Sequence, residues 1–508
     1  HKPSMLPLLD SFTAGLNSIG SEILKNTLFG FDLSNEPRAG NLSVATMSKW
    51  RPQLEEKYKT IDKLNEAWGT HYAGFNAIVF SADLERAIDT NRAMLYDWTQ
   101  YQQARFKEYF EWYKTSLSDR MDLDFYTHIK SQEMNEYWLE NGFTLRSRID
   151  HESLYENMDI LGCDLNAAPL VNDPDYNMQW ALQMFAYDYF KSFAPDKPIY
   201  DSEWHSVDST QFRGNIPRGY MRQVMRQAAL HGMGGNALWH FVRPNSDMWA
   251  WKMETPFAQP YVIEDYFAES AVIESEMDRI LPFSTAKKQV HILHSNTSHV
   301  RQGKTYFDAI KSLYEALFFE DLHVGFVTEA QLADPAFLAD HDVKMLVIPN
   351  SEYITDEAYD GMKSLAANGA AIIKVGNALQ YNQDAKPLSG NISGNVKHVP
   401  LSTKNDAREQ VYEYRAEGLV DLGGVVKRYR VEQADGTPAK YIEARFTQKE
   451  GATLGYAMNL SNEEQTLRII GPSAQTIGFK EFKYGAFRGE ASEFTLKPRE
   501  FISFNISR

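Results

Sequence analysis

The chain has 508 residues, 13% of them aromatic, with a formal net charge of −16 and one cysteine. That length exceeds the usual size of a single hydrophobic core, so several domains are expected. The acid excess leaves no basic stripe for a nucleic acid, the lone Cys163 excludes an internal disulfide and a thiolate zinc cluster, and no run of about 18 apolar residues suits a membrane span.

In chain order, residues 8–24 read as a helix, with Leu9, Phe12, Leu16, Ile19 and Ile23 at three- and four-residue spacing. Strand-like runs follow at 28–33, 123–129, 158–164, 198–203 and 236–242, mostly with helical stretches between them. Such βα alternation predicts a parallel α/β barrel of the TIM type. A closed barrel of this kind has eight strands, so about three βα units are expected ahead of His1. Residues 41–94 form a long insertion carrying Leu64-Asn65-Glu66-Ala67-Trp68-Gly69-Thr70, and an aromatic helix runs through Leu95, Trp98, Phe106, Phe110 and Tyr113. Helical spacing makes core packing the expected role of those rings.

Beyond Pro282, short apolar runs at 290–293, 324–327, 345–349 and 371–375 alternate with helices at 306–319 and 356–367. This predicts a small flavodoxin- or amidotransferase-like α/β domain. From about residue 408 the helical pattern stops, and runs at 425–431, 441–446, 454–460 and 494–506, with a turn at Asp435-Gly436, predict a small antiparallel β-sandwich. The expected domains are therefore 1–285, 286–405 and 406–508.

The chemistry sits at two strand ends. Asn35-Glu36-Pro37 closes the first run and Tyr200-Asp201-Ser202-Glu203 the fourth, where a parallel barrel presents catalytic side chains. Two carboxylates meeting at one mouth are the minimum machinery for breaking a glycosidic bond: one protonates the leaving oxygen, the other attacks or activates water. Tyr126 and His128 alternate along the second strand and are candidates for the mouth. Trp204, His205, Trp249 and Trp251 follow the last two strands and are subsite candidates. Arg243 is read as a partner for a structural carboxylate or an acidic sugar. Nucleotide and dinucleotide loops are not matched: Gly303-Lys304-Thr305 lacks the upstream glycine, and Gly232, Gly234 and Gly235 precede an expected strand. No cofactor or metal is therefore expected.

The Asn-Glu-Pro motif, the 64–70 insertion, Glu203 and the domain order together resemble the clan-A glycoside hydrolases, in particular family 42, the β-galactosidases. The resemblance implies a retaining mechanism with Glu36 as acid/base and Glu203 as nucleophile, Asn35 on the sugar 2-hydroxyl and Trp239 under the ring. It also implies a homotrimer and an oligosaccharide or glycoside substrate. Two departures stand out. Family members often carry a cysteine zinc cluster, absent here, and Arg38 after Glu-Pro, a substrate-binding candidate, points to a neighbouring clan-A family and another sugar, such as a β-mannoside, a β-glucoside, or an agar-type, acidic or sulfated oligosaccharide. A barrel that binds carbohydrate without turnover is the alternative from another class. Location is unassigned: cytoplasmic is favoured, with periplasmic or secreted open.

Overall fold

The computed structural model describes residues 2–38, 42–132, 149–207, 215–239, 259–341, 343–483 and 485–507. Five parallel strands build the first region: β1 (Gly30–Asn35), β2 (Tyr126–Lys130), β3 (Leu161–Cys163), β4 (Ile199–Trp204) and β5 (Met233–Leu238). They lie side by side in chain order. β1 pairs with β2 through Gly30↔Tyr126 and Asn35↔Lys130, Ser131 bridges to Cys163, β3 pairs with β4, and β4 with β5. Gly162 makes the tight β2–β3 approach: a Cβ there would lie 2.3 Å from the Ile129 carbonyl oxygen and 2.6 Å from His128 Nδ1. The last strand starts three residues earlier than its sequence pattern predicts. Gly234 and Gly235 lie within it, because β5 passes close to Pro198 and Tyr200 of the neighbouring chain segment and leaves little room for side chains.

Helices alternate with these strands, including Arg92–Ser118, Ala181–Phe193 and Tyr220–Leu230. Ala181–Phe193 is apolar almost all round because two layers cover it: Phe185 meets Phe326 at 4.7 Å, and Trp180, just ahead of it, stacks on Phe318 at 4.1 Å. The 64–70 motif is a structural device. Leu64 and Trp68 are buried, Asn65 Oδ1 accepts from the Tyr72 amide at 2.8 Å, and Trp68 Nε1 donates to Asp97 at 2.7 Å. Lys57 and Tyr58 complete the shell around that buried carboxylate.

The next region has a parallel sheet of β6 (Val290–His294), β7 (Val324–Thr328), β8 (Met345–Pro349), β9 (Ala371–Val375) and β10 (Val396–Val399), ordered β10-β9-β8-β6-β7. This is a doubly wound arrangement, with the order reversing at the first strand. The helical pattern does not stop at 408. Ala407–Ala416 and Leu419–Gly423 are helices; Asp406 caps the first, which buries Val411 and Tyr414. Two antiparallel sheets follow, one including Arg430–Gln433 and Gln465–Ile470, the other Ile442–Lys449, Ala452–Asn459 and Phe501–Ile506. Leu467 and Ile469 from the first share one apolar cluster with Ala444, Ala457 and Phe504 from the second.

Candidate active site

The carboxyl ends of β1 to β4 bring the charged residues together. β1 ends at Asn35, and the chain then turns so that the Glu36 amide donates to the Lys130 carbonyl at 2.8 Å. Glu36 has φ 44°, a left-handed conformation rare for a residue with a side chain and rarer before proline. Such strain persists only where the surroundings impose it, and it concentrates at functional sites. The half-buried Glu36 side chain adjoins the carboxyl of Asp164, which follows β3 and is fully buried.

Lys130 ends β2 with its side chain buried, and its ammonium forms an ion pair with Glu203 Oε2 on β4. His205, just past β4, completes the cluster: its Nε2 lies 3.4 Å from Asp164 Oδ1 and 3.5 Å from Glu203 Oε1. Burial, reinforced by the Glu36 charge and opposed by His205 and Lys130, pushes the Asp164 carboxyl up to about 6. Below it, burial and the Asp164 charge push Asp201 to about 7, although Asp201 accepts from the Tyr187 hydroxyl at 2.9 Å. The mouth therefore holds a fixed cation on one glutamate and a titrating carboxyl against the other. Among the described residues, Asp164, Glu203 and His205 form the single group whose ligand atoms, all within 4.8 Å of one another, could share a cation. Lys130 supplies positive charge to Glu203 in the same cluster.

The sequence-predicted residues divide clearly. Glu36 and Glu203 both flank Asp164. Asn35 is exposed opposite Lys130, and Arg38 Nη2 donates to Gln132 Oε1 at 3.0 Å beside Glu36. Trp239 is 38% exposed and its ring lies 6.1 Å from that of His205, at the rim of the charged cluster. His128 lies one layer below Lys130, buried against Asp32 and the Tyr200 ring, and burial lowers its pKa. Two expectations need correction. Tyr126 opens β2 rather than closing it, so its exposed ring packs near Phe29 at the amino end, away from the mouth. Trp204 has a fully buried side chain in the main core and cannot reach a substrate. Trp249, Trp251 and Arg243 lie outside the described residues. Lys130 and Asp164 are the residues that sequence reasoning missed. Their signal was only a charged residue at the end of a strand run, where a parallel barrel places its chemistry.

Parallel strands with paired glutamates at their carboxyl ends resemble the architecture of the clan-A glycoside hydrolases. Within that clan the likeness is to family 42: residues 24–243 match the family model described as Beta-galactosidase. Among solved structures, the exo-carrageenase of family 42 from Bacteroides ovatus is 21% identical with a TM-score of 0.74, over 94% of this chain and 66% of that one. The β-galactosidase Gan42B from G. stearothermophilus is 14% identical with a TM-score of 0.72, over 98% of this chain and 81% of that one. A β-galactosidase from Bacillus circulans sp. alkalophilus is 13% identical with a TM-score of 0.71, over 99% of this chain and 82% of that one. No curated protein sequence matches significantly.

Proposed function

We propose that this protein is a retaining glycoside hydrolase that releases terminal β-linked galactosyl units. One observation carries the reading: Glu36 and Glu203, at the ends of β1 and β4, converge on Asp164 while Lys130 forms its ion pair with Glu203. In this reading β1 to β5 stand as strands four to eight of an eight-stranded barrel, with the two glutamates on strands four and seven. An ammonium fixed against Glu203 favours the carboxylate that a nucleophile needs. Glu203 attacks the anomeric carbon, displacing the aglycone oxygen as Glu36 protonates it. Glu36 then takes a proton from water, and that water releases the sugar from Glu203 with net retention. Asn35, exposed beside Glu36, donates to the 2-hydroxyl, and Trp239 offers a ring face to the sugar.

A sulfated galactan is the second substrate reading. It is favoured by Arg38, a cation at the rim next to Glu36, and by the likeness to an exo-carrageenase. The test is nitrophenol release from a panel of β-linked aryl glycosides alongside sugar release from sulfated galactan oligosaccharides, each with the wild type and Glu203→Gln. Turnover that falls by orders of magnitude in the variant supports the reading, and the substrate that is turned over selects between galactoside and sulfated galactan. Turnover that Glu203→Gln leaves intact overturns it.

A further inference from the structure

A partly open cavity lies away from the charged cluster. A cavity of about 300 Å³ opens at the carboxyl end of β6 and β7, between the α/β sheet and the helix Arg92–Ser118. The carboxyl edge of a doubly wound sheet is where such folds bind ligands, and this volume stands at the small end of the range of small-molecule sites, roughly 300–1,000 Å³. We propose that this cavity is a second carbohydrate site, taking an uncharged hexose or a polyol of similar size.

The lining selects that class. His151, His294, Thr297 and Glu329 are each at least nine-tenths buried, and among the described residues no lysine or arginine lines the space. Burial holds the His151 and His294 imidazoles down to about 3, so both are neutral near pH 7. Burial, with Asp150 beside it, pushes Glu152 up to about 7, which makes it a donor as well as an acceptor. Glu329 is committed to the backbone amides of Thr297 and Thr355, at 3.0 and 2.9 Å. An anionic ligand would meet no counter-charge here, since carboxylates and no cation line the space, and an apolar one would strand buried polar groups. A sugar brings hydroxyls that donate and accept, and C–H surface for the apolar walls.

The walls are preorganised. The Tyr189 ring stacks on His294 at 4.1 Å, and Asn296 of the lining exchanges amide hydrogen bonds with Gln103 at 3.1 and 3.0 Å. The cavity also touches the barrel frame: His151 Nε2 and Ser131 Oγ are 3.0 Å apart, and Ser131 follows Lys130. The two sugar sites must therefore be closed separately in any test.

The experiment is calorimetric titration of the full chain with galactose, glucose and mannose in turn, and with galactose 6-sulfate as the charged control. Gln100, on the helix Arg92–Ser118, and Ala333, at the end of the helix Glu329–Ala333, are exposed residues of the cavity lining, so Ala333→Trp or Gln100→Trp is placed to close its opening without entering a core. Trp239→Ala weakens the barrel mouth instead. At least one neutral hexose is expected to show a binding component that both rim variants abolish, that Trp239→Ala retains and that galactose 6-sulfate does not produce. If neither rim variant removes a component for any of the three hexoses, or if the cavity component prefers the sulfated sugar, the proposal is overturned. The glycosidase reading stands or falls apart from this, since it is scored on turnover and Glu203.

Discussion

Two clusters in this molecule have the same composition, an aspartate, a histidine and a glutamate, and opposite designs. In the first, His231 donates through Nδ1 to Asp188 and through Nε2 to Glu443, each at 2.9 Å, with Tyr314, Gln227 and Tyr456 donating to the same two carboxylates. It ties Ala181–Phe193 and Tyr220–Leu230 to the strand Ile442–Lys449. Burial pulls the imidazole down, but Asp188 and Glu443 outweigh it and hold His231 up at about 9, while both carboxylates are held below their ordinary range. In the second, one nitrogen of His205 stands at 3.4 and 3.5 Å from Asp164 and Glu203, and Asp164 is pushed up rather than down. A buried charge network with its partners complete is a clamp. One that crowds carboxylates at a strained strand end gives up stability to keep reactive groups available.

The sharpest way to separate the two is to make the same change in each. Glu203→Gln is expected to lower kcat/KM on the order of 10⁴-fold, and Glu443→Gln to leave it within a few-fold while lowering the melting temperature, as steady-state kinetics and calorimetry on both variants would reveal. His231→Ala strands two buried carboxylates and is expected to cost about 3–5 kcal/mol. The pH dependence follows from the sign of the shift. A histidine raised from 6.5 to about 9 contributes its full stability below 6.5 and loses it as pH rises through 9. Thermal melts from pH 6 to 10 should show that decline in the wild type and a shallower one in His231→Ala.

Lys130→Met removes the cation from Glu203 and is expected to cost about 10²–10³ in kcat, measured on the substrate that the glycoside panel identifies. The smallest effect has the opposite sign. A carboxyl raised from 3.8 to about 6 binds its proton more tightly when folded, so its cost grows between those pH values and is complete above 6. Asp164→Asn removes that cost. Its melting temperature should rise at pH 7 by about 2 °C or more, with the gain vanishing below pH 4, and activity should fall about tenfold. A melting temperature that drops at pH 7 would make Asp164 a clamp residue like Asp188.

What the sequence makes legible follows the same division. Glu36 and Glu203 were readable because each ends a short apolar run in a βα pattern, and strand ends are where a parallel barrel places its chemistry. Trp204 was misread because it was placed in the loop after the strand, whereas β4 runs on through Trp204 and buries its ring. Tyr126 was misread because strand boundaries are uncertain by a few residues: β2 begins at 126 rather than 123. Lys130 and Asp164 gain their meaning only from partners 73 and 128 positions away, Glu203 and Glu36, and no local pattern encodes those contacts. The helices at 407–423 were missed for a related reason. Their buried stripe is only Val411 and Tyr414 in the first and Leu419 and Val420 in the second.

The most direct test of the central claim is to trap the intermediate. The wild type is incubated with a 2-deoxy-2-fluoro-β-galactoside carrying an activated leaving group, digested, and mapped by tandem mass spectrometry. The account predicts a stoichiometric glycosyl ester on Glu203 and none in Glu203→Gln. A glycosyl ester on Asp164 or any other residue, or steady turnover with inversion at the anomeric carbon, would contradict it.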